Sequence, residues 1–142
     1  MIDIDNQTNL NIPVQRITDI TASLTDKEVE LLVVEEDEMR SINEQHRGID
    51  KSTDVLSFPL EALPMAPLGS IIICCDIVKQ VSSELKHSQD DEFTLLYIHG
   101  LLHLLGFDHE TDNGEMRKEE AAIIKNFNLP KSLIIRTQEK EV

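Results

Sequence analysis

Residues 93–109 read FTLLYIHGLLHLLGFDH and contain the longest apolar run in the chain. Almost every residue from Phe93 to Leu105 is hydrophobic, so this segment is expected to form a central, buried helix. His99 and His103 are four residues apart and therefore project from one face of that helix, one turn apart. Two buried imidazoles are costly unless a partner satisfies them, and a metal ion is such a partner.

Gly106 follows the apolar run directly and is suited to end the helix. A glycine just past a helix end can adopt the left-handed conformation, which turns the chain back. That turn is expected to bring His109 toward the first two rings. Three neutral imidazoles suit Zn²⁺ and leave a fourth coordination position open. We therefore predict one zinc ion per chain, with His99, His103 and His109 as its ligands.

The spacing H-x₃-H-x₂-G-x₂-H matches the histidines and the glycine of the metzincin proteases. Those proteases carry a glutamate directly after the first histidine, where it acts as the general base. This chain has Gly100 at that position. The pattern therefore supports a metzincin-like three-histidine metal site more strongly than peptidase chemistry. A zinc metallopeptidase-like hydrolase remains an alternative, and digestion of casein would test it.

Periodicity outside this helix predicts an α+β fold, with helices packed on a small mixed sheet. The predicted order is β-α-β-α-β-β-α-α-α. The strands are predicted at Ile2–Asp5, Val29–Val34, Asp54–Leu60 and Ser70–Cys75, and the helices after Pro13, at Asp37–His46, after Asp76, from Asp90 or Asp91 to Gly106, and at Asp112–Phe127.

Length and charge limit the kinds of protein that this sequence can encode. The chain has 142 residues, which is typical of a single domain, here residues 1–142, with a polar and mobile tail at 131–142. The formal net charge of −14 argues against a protein that coats DNA or RNA by bulk charge. Ten acidic and three basic residues lie within residues 1–40, which leaves room for a local positive site elsewhere.

The chain also gives indications of its compartment. It begins with MIDIDNQTNL, which has neither a basic start nor an apolar signal region, and no apolar run is long enough to span a membrane. Cys74 and Cys75 are adjacent and form no disulfide framework. A cytoplasmic protein without a membrane partner is the prediction.

A second informative segment, residues 46–59, reads HRGIDKSTDVLSFP. It connects a predicted helix to a predicted strand and holds Arg47 and Lys51 beside Gly48. Two cations next to a glycine in a turn indicate a loop that can contact an anion. A basic pair in a turn is also common on ordinary solvated surfaces, so this segment alone is a weak signal.

Taken together, HRGIDKSTDVLSFP and the IHGLLHLLGFDH of residues 98–109 resemble the YbeY family of bacterial endoribonucleases. The resemblance extends from about Val29 to Phe127. It implies a single α+β domain with a four-stranded mixed sheet and about five helices. It also implies that the family's metal ligands correspond to His99, His103 and His109, and that its functional arginine corresponds to Arg47. This chain departs from the family pattern at His46, where Tyr or Phe is usual, and at Ser70, where Asp is usual.

The function implied by the resemblance is zinc-dependent, single-strand-specific cleavage of RNA. The family would act in rRNA processing, with maturation of the 3′ end of 16S rRNA, and in ribosome quality control. Single-stranded rRNA, the small ribosomal subunit and assembly factors are then the expected partners, and DNA is not. Arg47 is expected to bind a phosphate oxygen, while either water or the RNA 2′-hydroxyl attacks. A non-catalytic ribosome-assembly factor with a metal site is the remaining alternative.

Overall fold

A computed structural model of the chain describes residues 1–60, 66–108 and 111–130. The strands are β1 (Ile2–Asn6), β2 (Val29–Val34), β3 (Val55–Pro59) and β4 (Gly69–Cys74), and the helices are α1 (Val14–Leu24), α2 (Glu36–Arg47), α3 (Cys75–Leu85), α4 (Gln89–Leu104) and α5 (Glu115–Asn126). The predicted order of elements is confirmed, and most boundaries agree within two residues. The expected mobile tail, residues 131–142, lies outside the described ranges.

The four strands form one mixed sheet in the order β1-β2-β4-β3. β1, β2 and β4 run parallel to one another, whereas β3 pairs antiparallel with β4 at the edge of the sheet. Pro59 ends β3, which is consistent with the edge position because proline has no N–H to donate to a further strand. The α+β fold with a four-stranded mixed sheet is confirmed.

Helices cover the sheet on both faces, and each face has its own buried cluster. Ile71 and Ile73 of β4 face the cluster that contains α1, α4 and α5. Ile72 and Cys74 alternate with them and face the smaller cluster formed with α2. β4 is therefore the strand that is covered on both faces, as its continuous apolar sequence predicts.

Helix α4 lies at the centre of the larger cluster. Every residue from Glu92 to Leu102 is buried, so the helix has no solvent-facing stripe over that length. The Tyr97 hydroxyl lies 2.7 Å from the Thr21 hydroxyl of α1, and burial raises the pKa of Tyr97 to about 12. The Ser88 hydroxyl caps the helix by accepting from the Asp91 N–H. These contacts fix the depth and the start of the helix that carries the histidines.

The two cysteines lie at the junction of β4 and α3, and both are buried with free thiols. Desolvation by burial raises the pKa of Cys74 and of Cys75, which keeps both thiols protonated. They therefore act as small core residues. Among the described helices, none combines the length and the hydropathy needed to cross a bilayer.

Replacement of Gly69 by alanine tests how closely α4 approaches the sheet edge. A Cβ at this position would lie 2.6 Å from the Phe58 carbonyl oxygen and 2.7 Å from a Leu104 methyl group. We expect Gly69→Ala to lower the free energy of unfolding by about 1–3 kcal/mol, measured by urea denaturation. The neighbouring Ser70→Ala removes one exposed hydrogen bond and should cost less than about 1 kcal/mol. Equal stability of the two variants would contradict the close approach.

Candidate metal centre

A cleft of about 560 Å³ opens where the end of α2, the edge strand β3 and the C-terminal part of α4 meet. The cleft contains two of the three predicted metal ligands and the predicted phosphate-binding arginine. Its lining residues are Arg47, Thr53, Asp54, Val55, Leu56, Ser57, Phe58, His99, His103, Gly106, Phe107 and Asp108. The structure therefore brings together the two sequence motifs, which are about 50 residues apart along the chain.

The imidazoles of His99 and His103 face each other within this cleft. Their ring centroids are 4.6 Å apart and the ring planes are nearly perpendicular. The two Nε2 atoms lie 3.1 Å from each other. His99 is only 5% exposed, so the pair lies at the base of the cleft. The spacing of four residues on one helix thus places both rings where the sequence predicts them.

The turn after α4 positions the second ring. Gly106 has a φ of +100°, the left-handed conformation expected at this position. Its N–H donates to the His103 carbonyl, and the Phe107 N–H donates to the Leu102 carbonyl, the pair of bonds that defines a Schellman motif. The Phe107 carbonyl then accepts a hydrogen bond from His103 Nδ1 at 3.0 Å. The glycine turn therefore fixes the orientation of a predicted metal ligand.

Glu120 of α5 orients the first ring, and the sequence reasoning missed it. Its Oε1 accepts from His99 Nδ1 at 2.8 Å, and both side chains are almost fully buried. A signal for this contact does exist in the sequence. Glu120 lies between Met116 and Ile123 at helical spacing, so an acidic residue sits on the apolar face of α5. A carboxylate on a buried helix face requires a partner in the core.

The donor set of the histidine pair fits a zinc ion. Both Nδ1 atoms donate to oxygen acceptors, so in neutral rings both Nε2 atoms carry lone pairs directed at the same space. Two such lone pairs 3.1 Å apart repel each other unless a cation or a proton lies beside them. Two nitrogens on one tetrahedral zinc, each at about 2.0–2.1 Å, would be about 3.4 Å apart. The observed separation is close to that value.

The third predicted ligand, His109, lies outside the described residues. Within residues 1–60, 66–108 and 111–130, no third histidine, cysteine or carboxylate joins His99 and His103 as a metal-ligating group. Asp108 lines the cleft, and its carbonyl accepts from the N–H groups of Thr111 and Asp112. The ligand set of three histidines therefore stays a prediction.

Arg47 is the last residue of α2 and lines the cleft with an exposed side chain. The chain leaves the helix at Gly48, which has a φ of +70°. The following loop is held by two contacts: Asn43 donates to the Lys51 carbonyl, and Arg40 forms a bidentate pair with Asp50. The second cation of the predicted anion-binding loop, Lys51, is not among the cleft-lining residues.

The Arg40–Asp50 pair also changes the acid–base properties of the loop. The guanidinium donates two hydrogen bonds to the carboxylate, which lowers the pKa of Asp50 below its ordinary value. Both side chains are more than half exposed, so the pair orders the loop more than it stabilises the fold. In the described part of the chain, Arg47 itself makes no side-chain hydrogen bond or ion pair, so its guanidinium remains available to an anion.

Gly100 occupies the position of the metzincin glutamate, and the structure explains why it is a glycine. A Cβ at this position would lie 3.0 Å from Ile71 Cγ2 and 3.4 Å from Val55 Cγ2. A side chain at this position would therefore begin against the sheet. Gly100 itself supplies no group that could act as a general base in the cleft.

We expect Gly100→Glu to destabilise the fold strongly, because it would force a carboxylate between α4 and the sheet. Gly100→Ala is the control, since the gain in helix propensity offsets the tight contact with Ile71. Thermal unfolding followed by circular dichroism should show a large loss for Gly100→Glu and a small change for Gly100→Ala. A stable Gly100→Glu protein that digests casein would show that a metzincin-type base can be accommodated.

The fold and the site together define an α+β protein with a helix-borne histidine pair at the base of a cleft, beside an arginine. A family model described as endoribonuclease YbeY matches residues 3–128. The chain is 61% identical to "Endoribonuclease YbeY" of Sulfurimonas denitrificans, over 97% of this chain and 99% of that protein. It is 50% identical to "Endoribonuclease YbeY" of Helicobacter pylori, over 98% of this chain and 99% of that protein.

A solved structure supports the same fold. The solution structure of a protein from Thermotoga maritima is similar with a TM-score of 0.62 and 29% identity, and the match covers 89% of each chain. The chain belongs to the endoribonuclease YbeY family. The resemblance noted in the two sequence motifs is thereby confirmed.

Proposed function

We propose that this chain is a zinc-dependent endoribonuclease that cleaves single-stranded RNA in the cleft between α2, β3 and α4. Its family consists of hydrolases that act on RNA phosphodiester bonds. The observation that carries the proposal is the convergence of the two Nε2 atoms at the base of a cleft that Arg47 also lines. His99 and His103, with His109 as the third ligand, would hold the zinc ion.

The described residues account for how a phosphodiester would be bound. A zinc ion held by the histidine pair would supply a Lewis acid for cleavage of the phosphodiester. The Arg47 guanidinium binds the non-bridging oxygens, because its planar fork matches phosphate geometry and counters the charge that develops there. His99 is 5% exposed, so the phosphate has to enter the cleft. An unpaired strand can bend inward in this way more easily than a stacked duplex.

The edge strand β3 favours RNA over an extended peptide as the occupant of this cleft. In the antiparallel pair, Asp54 and Leu60 direct backbone groups toward β4, so by alternation Val55, Ser57 and Pro59 direct theirs toward the open edge. The Val55 N–H already donates to the Asp54 carboxylate at 2.8 Å. Pro59 has no N–H at all.

The row of backbone hydrogen-bonding groups that a peptide could pair with at this edge is therefore incomplete. Of the three edge-facing residues in the described strand, only Ser57 keeps an N–H directed outward. Binding of a peptide by strand addition relies on alternating N–H and C=O groups along the edge. Together with the lack of a side chain at Gly100, this weakens the metallopeptidase alternative. A phosphodiester needs no such ladder, and one N–H is a suitable ligand for a phosphate oxygen.

The overall charge sets the expected partners. With a net charge of −14, the chain has little bulk attraction for a polyanion, so we propose weak and local RNA contact. A ribosomal particle would then bring the substrate to the cleft. From the resemblance to the family we further propose rRNA processing at the 3′ end of 16S rRNA and ribosome quality control, with the small subunit and its assembly factors as partners, and a location in the cytoplasm. DNA lacks the 2′-hydroxyl and is not proposed as a substrate.

Substitution of the cleft residues should abolish cleavage of a labelled single-stranded RNA. We expect Arg47→Ala and His103→Ala each to lower the rate on the order of 100-fold or more, because each removes a group that binds the reacting phosphate or its metal. Arg47→Lys should recover only part of the loss, since lysine lacks the bidentate fork. Lys118→Ala, an exposed cation on α5, is the matched control and should cleave like wild type. Unchanged rates in both cleft variants would place the activity elsewhere.

The same assay identifies the substrate and the attacking group. Double-stranded RNA, single-stranded DNA of the same sequence and casein should all be poor substrates. Products that end in a 2′,3′-cyclic phosphate indicate attack by the 2′-hydroxyl, whereas a 3′-hydroxyl or a non-cyclic phosphate made directly indicates attack by water. Preferential digestion of casein would overturn the nuclease proposal.

Removal of metal by a chelator should abolish cleavage, and zinc should restore it. Because only the folded chain presents the converged histidines, zinc should also stabilise it, by about 2.7 kcal/mol at a hundredfold excess over the dissociation constant. Thermal unfolding with and without zinc measures this, and His103→Ala should show no such shift. A protein that binds zinc but cleaves no RNA would favour the non-catalytic assembly factor.

A further inference from the structure

We propose that Glu120 is a positioning residue that holds His99 in the tautomer and orientation needed to bind the metal, at a cost to the stability of the metal-free fold. This inference rests on the proposed function, because it assigns a role to a residue behind the metal site. Glu120 cannot reach the cleft to touch substrate, since it is fully buried on α5 behind the His99 ring.

The first argument is the hydrogen bond itself. An ionised carboxylate can only accept, so the 2.8 Å contact places the proton of a neutral His99 ring on Nδ1. Nε2 then carries the lone pair and points at Nε2 of His103. In metal-binding histidines, a carboxylate partner on the far nitrogen fixes the ring and raises its basicity as a ligand. Glu120 is placed to do both.

The second argument is that the two histidine rings donate to different kinds of acceptor. His103 donates to a neutral acceptor, the Phe107 carbonyl, whereas His99 donates to a carboxylate. A neutral carbonyl orients the ring but polarises it less than a charged group does. His99 should therefore be the stronger of the two ligands, and its strength should depend on the charge of Glu120.

The third argument is a polar atom that the fold leaves unsatisfied. Within the described ranges, Oε2 of Glu120 is buried and has no hydrogen-bond partner. A buried carboxylate with one bond is expensive, and the fold alone does not require it. A glutamine would preserve the acceptor for His99 and would remove the charge. The presence of an acid at this position is explained if its charge strengthens His99 as a metal ligand.

These arguments lead to opposite effects on stability and on metal affinity. We expect Glu120→Gln to fold as stably as the metal-free wild type, or more stably, because it removes a buried charge. The same variant should bind zinc about 10-fold more weakly, and Glu120→Ala about 10- to 100-fold more weakly. A residue with a purely structural role would lower stability and leave the affinity of the folded protein unchanged.

The experiment measures zinc affinity by competition with a chromophoric chelator, without RNA, for the full chain and its variants. Glu119→Gln, the adjacent acid on the same helix, is the matched control and should bind zinc like wild type. Nitrogen-15 NMR of labelled histidine in the metal-free proteins gives a second readout. Wild type should show one tautomer for His99 with the proton on Nδ1, and Glu120→Ala should show a mixture.

The outcomes separate this inference from the proposed function. A wild-type protein that binds no zinc would overturn the metal site and the positioning role together. A wild type that binds zinc, with Glu120→Gln and Glu120→Ala binding it equally well and with an unchanged tautomer, would overturn the positioning role alone. Weaker binding in both variants, with Glu119→Gln unaffected and stability retained in Glu120→Gln, supports it.

Discussion

The rest of the structure depends on the burial of α4, which packs against β3, β4 and the helices α1, α3 and α5. This helix is hydrophobic on nearly all sides and still carries two imidazoles one turn apart. Polar groups in such a place have to be satisfied within the protein or by a ligand. The fold satisfies the outer nitrogens with Glu120 and the Phe107 carbonyl, and the two inner nitrogens lie 3.1 Å apart in the cleft.

The same contacts that complete the core therefore also define the chemistry of the cleft. Gly69 and Gly100 allow α4 to approach the sheet, and this approach brings the histidines beside the edge strand β3. Gly106 reverses the chain and delivers the carbonyl that holds His103. Three glycines thus act on one site, two through close packing and one through a left-handed backbone. Little of the site can change without a change in the packing of α4.

The acidic character of the chain and a phosphate-binding cleft are compatible because many of the acids lie outside the cleft, although Asp54 and Asp108 line it beside Arg47. Asp3, Asp5 and Glu30 line a separate cavity on the face of the sheet opposite α4. The first turn of α2 carries three acids at the positive end of its helix dipole, while Arg47 lies at the other end of the same helix. Net charge therefore limits long-range attraction to RNA and says little about the cleft itself.

The sequence by itself determined the features that depend on local geometry. The 3.6-residue period predicted that His99 and His103 share a face, and the lack of a Cβ predicted the left-handed turn at Gly106. Only the tertiary structure decided which distant groups meet. Glu120 reaches His99 from 21 residues away, and Asp76 accepts a hydrogen bond from the Glu36 N–H at the start of α2. Arg47 lines the cleft, whereas Lys51 does not. Such contacts depend on how helices cross and on the order of strands in the sheet, and neither is encoded in the spacing of neighbouring residues.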